Sequence, residues 1–166
     1  MEYTWRTKSP LGAILLAADG DALCGLWFEG QKHCAETLSS AHEEKALPVF
    51  EQTAEWLSVY FSGKEPGFTP PLRLKGTAFQ RVVWEKLLEI PYGQILTYGE
   101  IARSVARDTN ASGMSARAVG SAVGRNPISL IVPCHRVIGA DGSLTGYAGG
   151  IERKRWLLAL ERTAVK

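Results

Sequence analysis

The chain has 166 residues, 45% of them hydrophobic, enough to bury a sizeable core as one compact domain or two small ones without covalent staples. Its 19 basic and 17 acidic side chains leave a net charge of only +2, which admits nucleic acid as a partner but does not argue for it, because a binding face needs local charge. Cys24, Cys34 and Cys134 are odd in number, widely spaced and without a C-x-x-C pair, which speaks against a disulfide framework or a zinc ribbon; with no basic-then-apolar leader at Met1 and no apolar run of about 18 residues, a reducing, cytoplasmic setting and no membrane partner are expected.

In chain order, "SPLGAILLAADGDALCGLWFEG" (residues 9–30) predicts two strands around an Asp19-Gly20 turn, where glycine accepts the positive φ of a tight hairpin. Over residues 48–62, Val49, Phe50, Thr53, Trp56, Leu57, Tyr60 and Phe61 recur at helical spacing, with Gly63 as a stop, and this helix is expected to cover the small sheet. "GKEPGFTPPLRLKG" (63–76) is too rich in glycine and proline to continue a helix, so a domain boundary is expected there, dividing 1–76 from 77–166. Thr77 with Gln80 and Thr97 with Glu100 have the capping-box spacing, which predicts helices over 78–89 and 98–105. After a polar loop at 108–113, "SARAVGSAVGRNP" predicts a third helix, capped by Ser115 and ended by Asn126-Pro127, which forms a helix-turn-helix with the one before it. Ala116, Ala118, Gly120, Ser121, Ala122 and Gly124 are all small, so this helix can approach another surface closely. A last helix over 151–161 is expected to pack Ile151, Trp156, Leu157 and Leu160.

"LIVPCHRVIG" (130–139) sets a thiol between a proline and a histidine at the end of an apolar run that should be buried. Only the thiolate is a nucleophile, and a free cysteine with a pKa of about 8.5 is scarcely ionised at neutral pH. Cys134 therefore needs a base, and His135 is the candidate by pKa. On an extended strand adjacent side chains point to opposite faces, so their contact requires a turn or a bridging water. A buried cysteine beside an exposed histidine fits the same spacing. A phosphate-gripping cysteine loop is excluded, because the arginine it needs six positions on is replaced by Ala140, and the papain and caspase signatures are absent.

"NPISLIVPCHRVIGADGSLTGYAGGIERKRWLLALE", together with "GQILTYGEIA" and "ARAVGSAVGRNP", resembles the O6-alkylguanine-DNA alkyltransferases, or methylated-DNA-protein-cysteine methyltransferases, in order from about residue 77 to residue 161. The N-terminal half agrees in layout. The resemblance implies an α/β N-terminal domain, a small antiparallel sheet of ribonuclease H-like kind with a helix, and a mainly α C-terminal domain with a winged-helix-like helix-turn-helix. It implies direct repair: the alkyl group on guanine O6 moves irreversibly to a cysteine, once per molecule, with no metal or organic cofactor. Carried over residue by residue, Cys134 is the acceptor, His135 takes its proton through a water, Glu161 orients the imidazole and Asn126 fixes the network. Tyr98 would donate near guanine N3 and turn the target phosphate, and the Ala148 amide would donate at O6. The carbonyls of Cys134 and Val137 would accept from the guanine amino group, and Tyr147 would wall the pocket. Arg117 would fill the space left by the flipped base. The third helix would lie in the minor groove of double-stranded DNA, with Thr97, Ala116, Ala118, Ser121 and Arg125 at the backbone or groove. A monomer is expected, with cooperative loading on DNA left open.

Departures from the family pattern matter at the pocket. Ser129 stands where some relatives have proline and Ala148 where some have serine, which bears on tolerance for bulky alkyl groups. Cys24, His33 and Cys34 lack the pattern of relatives that hold zinc, so no metal is expected. Two other classes fit the architecture. A lesion-binding protein without transfer would replace the reactive cysteine, which Cys134 argues against. A helix-turn-helix regulator that senses alkylation or oxidation needs a sensor domain, which the short N-terminal half does not suggest.

Overall fold

The structure, a computed structural model, describes residues 1–109, 115–144 and 146–165. It opens with a sheet of β1 (Glu2–Ser9), β2 (Gly12–Asp19), β3 (Ala22–Phe28) and β4 (His42–Glu44) in the order β3-β2-β1-β4. The expected hairpin is β2 and β3, turning at Gly20 with φ +65°. The sheet is mixed and not wholly antiparallel, because β4 returns by a long loop to lie parallel to β1 at the edge. β1 escaped the sequence pattern because Glu2 and Thr4 fill its buried positions. Those polar residues break the alternation that marks a strand. α1 (Pro48–Phe61) packs on β1, β2 and β3 through a face that buries Val49, Phe50, Trp56, Leu57 and Tyr60.

The second half contains α2 (Ala78–Leu88), β5 (Leu96–Thr97), α3 (Tyr98–Thr109), α4 (Ala116–Gly124), a 3₁₀ turn (Cys134–Arg136), β6 (Val137–Ile138) and α5 (Ile151–Val165). Both capping boxes form: Thr77 and Gln80 exchange side-chain-to-amide bonds at the start of α2, as do Thr97 and Glu100 at the start of α3. α3 runs past residue 105 to Thr109, and its added turn carries Asp108, which pairs with Lys86 of α2. α5 departs from expectation in its packing. Ile151 and Trp156 are 44% and 38% exposed, while the buried stripe is Lys154, Leu157 and Glu161. Those positions share one helical face, but two of the three are charged, so an apolar period could not reveal them.

One hydrophobic cluster runs from Ile14, Leu16 and Phe28 through Leu57 and Tyr60 to Trp84, Val119, Ile128 and Val137, so the two halves share a core. β3 makes the junction. Leu26 N donates to Pro127 O (2.8 Å) and Ser129 N donates to Leu26 O (3.0 Å). The segment leading into Cys134 is thereby fixed to the sheet.

Candidate active site

Between Ile128 and Arg136 the chain folds into consecutive tight turns. Leu130 has φ +72°, and Pro133 (φ −82°, ψ 65°) forms an inverse γ-turn closed by Cys134 N donating to Val132 O at 2.8 Å. The 3₁₀ turn then begins at Cys134. An extended strand would have splayed the thiol and the imidazole to opposite faces; the turn buries both, at 4% and 0% exposure. Asn126 braces these turns, donating from Nδ2 to Val132 O (2.7 Å) and accepting the Ile128 amide at Oδ1 (3.0 Å).

Behind the turn lies the Glu161 carboxylate, 1% exposed. Its Oε2 accepts from His135 Nε2 (2.5 Å), Tyr60 Oη (2.6 Å) and Arg136 Nη2 (3.3 Å), and its Oε1 from Arg136 Nε (2.8 Å) and the Gly93 amide (3.1 Å). Burial by itself would raise this carboxyl, but hydrogen bonds and charge from His135 and Arg136 hold it down at about 2. An ionised Glu161 accepts only, so Nε2 of the neutral imidazole carries the proton and Nδ1 is left with its lone pair. Nδ1 is buried and has no hydrogen-bond partner among the described residues. Burial also lowers the His135 pKa, against the pull of Glu161, so the resting ring is neutral and able to take a proton.

Burial pushes the Cys134 thiol up to about 11, opposed by Asn126, by the charge of Lys154 and by the amides of Cys134 and His135. At neutral pH the thiolate is then on the order of one molecule in ten thousand, so for this sulfur to act as a nucleophile a base would have to remove its proton. Lys154 is fully buried, donates to the Val137 carbonyl and lies 6.0 Å from the Tyr98 ring centroid. Burial lowers its pKa to about 8, with Cys134 pulling the other way.

A cleft of about 560 Å³, within the range of small-molecule sites, opens beside this network. Lys32 and His33 of the loop after β3 form one wall, Gly120, Ser121, Gly124 and Arg125 a second, and Gly146, Tyr147 and Ala148 a third. Tyr147 connects the cleft to the buried network, its ring lying edge-on to His135 at 6.4 Å. Gly146 has φ +89°, and a β-carbon there would come within 2.6 Å of Tyr98 Oη, so only glycine lets the phenol reach this wall. Burial raises the Tyr98 pKa to about 12, which keeps its hydroxyl a donor.

Of the residues singled out from sequence, Cys134, His135, Asn126 and Glu161 come together in the buried network, and Tyr147, Ala148, Ser121 and Arg125 line the cleft. Cys134 is not part of the cleft lining. The Val137 carbonyl holds Lys154, and the Cys134 carbonyl accepts the Val137 amide, bonds that each use one of the two lone pairs. Thr97 caps α3, while Ala116, Arg117 and Ala118 lie exposed on α4. Arg125 pairs with Glu36, which also pairs with His33 (2.5 Å), so the N-terminal half reaches the rim of the cleft. Ser129 is 2% exposed. Sequence reasoning missed Tyr60, Gly93, Arg136 and Lys154. The arginine in Pro-Cys-His-Arg and the seven-residue spacing of Lys154 and Glu161 were the available signals for two of them.

All three cysteines are free. Among the described residues no group of His, Cys, Asp or Glu could hold a metal ion, and no helix is long and apolar enough to cross a membrane.

Residues 78–163 match the family described as 6-O-methylguanine DNA methyltransferase, DNA binding domain, and residues 3–74 match its ribonuclease-like domain. The chain is 42% identical over 161 residues to a methylated-DNA–protein-cysteine methyltransferase of Haemophilus influenzae, covering 96% of this chain and 86% of that protein. It is 46% identical over 154 residues to a protein of the same name from Methanosarcina acetivorans, covering 93% and 94%. Among solved structures, Mycobacterium tuberculosis OGT in complex with DNA superposes with a TM-score of 0.83 at 45% identity, over 98% of this chain and 93% of that one.

Proposed function

The chain belongs to the 6-O-methylguanine DNA methyltransferase family, and from that membership we propose that Cys134 is the residue onto which it moves the alkyl group. The protein acts in direct-reversal DNA repair, transferring the group from damaged DNA to its own cysteine. One observation carries the assignment of Cys134: the next residue is a buried imidazole whose Nε2–H is held by an ionised carboxylate and whose Nδ1 lone pair is unengaged among the described residues.

The thiol proton passes through a water to His135 Nδ1 while the sulfur attacks the alkyl carbon in line. The S–C bond forms as the C–O6 bond breaks, and the electron pair passes into the purine. Glu161 stabilises the transient imidazolium, the part a buried carboxylate plays beside a catalytic histidine. Tyr98 donates at N3 and the Ala148 amide at O6, where negative charge grows. The carbonyls of Cys134 and Val137 use their remaining lone pairs on the guanine amino group. In sum, the proton lost by the thiol ends on the restored guanine.

Reaching O6 requires the base to leave the stack, at a cost of a few kcal/mol. Arg117, exposed in the first turn of α4, enters the vacated space. Ala116, Ala118 and Ser121 bring α4 close to the minor groove, and Thr97 and Arg125 meet the backbone. The reading keeps the division at residues 76 and 77, a monomer as the working form, and a reducing cytoplasm in which the thiols stay free. It is tested by counting lesions removed from a duplex containing O6-methylguanine. One lesion lost per protein molecule supports it, and either none or continued turnover contradicts it.

A further inference from the structure

We propose that Tyr60, which α1 of the N-terminal half places against the relay, is a positioning residue for alkyl transfer: its hydroxyl holds the Glu161 carboxylate aimed at His135 and moderates its pull on the imidazole. The proposal rests on the reading of Cys134, His135 and Glu161 as that relay.

Tyr60 is fully buried, and its Oη donates at 2.6 Å to the same Glu161 oxygen that receives His135 Nε2–H at 2.5 Å. Its ring is stacked on Trp56 (5.2 Å between centroids) and meets Tyr92 (6.1 Å) and His135 (6.3 Å) edge-on, so the hydroxyl has a fixed direction. Packing α1 on the sheet does not call for that oxygen. Phenylalanine would fill the same space, and a buried hydroxyl is costly unless it meets a good acceptor. The oxygen is explained by the carboxylate it meets.

The groups facing His135 come from every side: Glu161 and Lys154 from α5, Arg136 and Cys134 from its own turn, Tyr147 from the loop before α5, and Tyr60 from α1. Tyr92 stands beyond, under the Arg136 guanidinium. Replacing Tyr60 leaves the charge of this cluster unchanged but alters how strongly Glu161 attracts an imidazolium. Without the phenol, the carboxylate concentrates its charge on His135, and the ring keeps a proton to higher pH. The contact between Tyr60 Oη and Nε2 (3.3 Å) works in the opposite sense, since a lone pair facing N–H favours the charged ring. The shorter, charge-assisted bond to Glu161 outweighs it.

The test is the single-turnover rate of transfer to Cys134 as a function of pH. For Tyr60→Phe the acid limb should move up by about half to one pH unit, a loss of about three- to tenfold in rate below the limb. Leu57→Ala, in the core face of the same helix, should lower thermal stability and leave the limb in place. 3-Fluorotyrosine at position 60, a more acidic donor of nearly the same shape, should move the limb down and decides the matter if the phenylalanine variant does not fold. A Tyr60→Phe profile that superimposes on the unaltered protein, an equal shift in Leu57→Ala, or a fluorotyrosine limb that stays or rises overturns the proposal. If the unaltered protein has no acid limb, or His135→Gln leaves it in place, the fault lies in the relay and both readings fall together.

Discussion

Glu161 and the outward face of α4 treat polar groups in opposite ways. At Glu161, a carboxylate 1% exposed receives His135, Tyr60, Arg136 and the Gly93 amide before any substrate arrives. On α4, Ala116, Arg117, Ala118 and Ser121 face solvent. The first arrangement costs desolvation, which is tolerable because the carboxylate lone pairs are engaged, and it gives an imidazole whose tautomer is fixed in advance. The second costs the fold almost nothing, and the role proposed for it is to meet a polyanion. On the proposed reading, the chemistry is organised by the protein alone, and recognition is completed by the partner. Mutations in the two regions should therefore separate cleanly into those that change transfer or stability and those that change dealings with DNA.

The sharpest separation is expected from Cys134→Ala, which removes transfer altogether while DNA binding, followed by gel shift, stays within a few-fold. Next comes Glu161→Gln. It leaves the Arg136 guanidinium in a site built for an anion, and denaturant titration should show a loss of about 3–5 kcal/mol along with slower transfer. A stability close to that of the unaltered protein would break the comparison at its buried end. Acid should expose the same group. The folded Glu161 carboxyl sits at about 2 against an ordinary 4.5, so its contribution of about 3 kcal/mol is complete above pH 4.5 and disappears as the pH falls through 2. Unfolding midpoints measured across that window should drop in the parent and drop less in Glu161→Gln.

Arg117→Ala should alter stability by no more than about 0.5 kcal/mol. Given the role proposed for Arg117, filling the space of the flipped base, its loss should slow repair in duplex by about tenfold yet leave the reaction with free O6-alkylguanine base unchanged. Equal slowing on both substrates would place Arg117 with the chemistry and not with the groove. The smallest effect lies in alkali. Lys154, lowered to about 8 by burial, adds stability as pH rises from 8 towards its ordinary 10.5, whereas Cys134, raised to about 11, removes it from its ordinary 9 upward. Between pH 8 and 9 the Lys154 contribution is unopposed and measured stability should rise by about 1 kcal/mol; above pH 9 Cys134 and Cys24, which burial also raises to about 11, together outweigh it, and the profile should turn over.

The elements legible in the sequence were those announced by local chemistry. Asp19-Gly20, the two Thr-x-x-Glu/Gln boxes, Ser115 and Asn126-Pro127 each mark a boundary through bonds made within a few residues. What escaped was set by distant partners. Glu2 and Thr4 hide β1, and Lys154 and Glu161 turn the inner face of α5 from apolar to charged. At the site, Cys134 and His135 are adjacent in the chain, and family resemblance supplied Glu161. Tyr60 lies 101 residues from the carboxylate it touches, on a helix whose aromatic residues read only as core. The inverse γ-turn at Pro133, which leads into the turn that buries both thiol and imidazole, was allowed for in the sequence as a turn but not located.

The central claim is that the sulfur of Cys134, and no other atom of the protein, receives the alkyl group. Incubation with a duplex carrying O6-methylguanine, followed by intact mass and peptide mapping, tests it most directly. A gain of one methyl group confined to the peptide that contains Cys134 is the predicted result. An unchanged mass, or a methyl group on Cys24 or Cys34 instead, would contradict it.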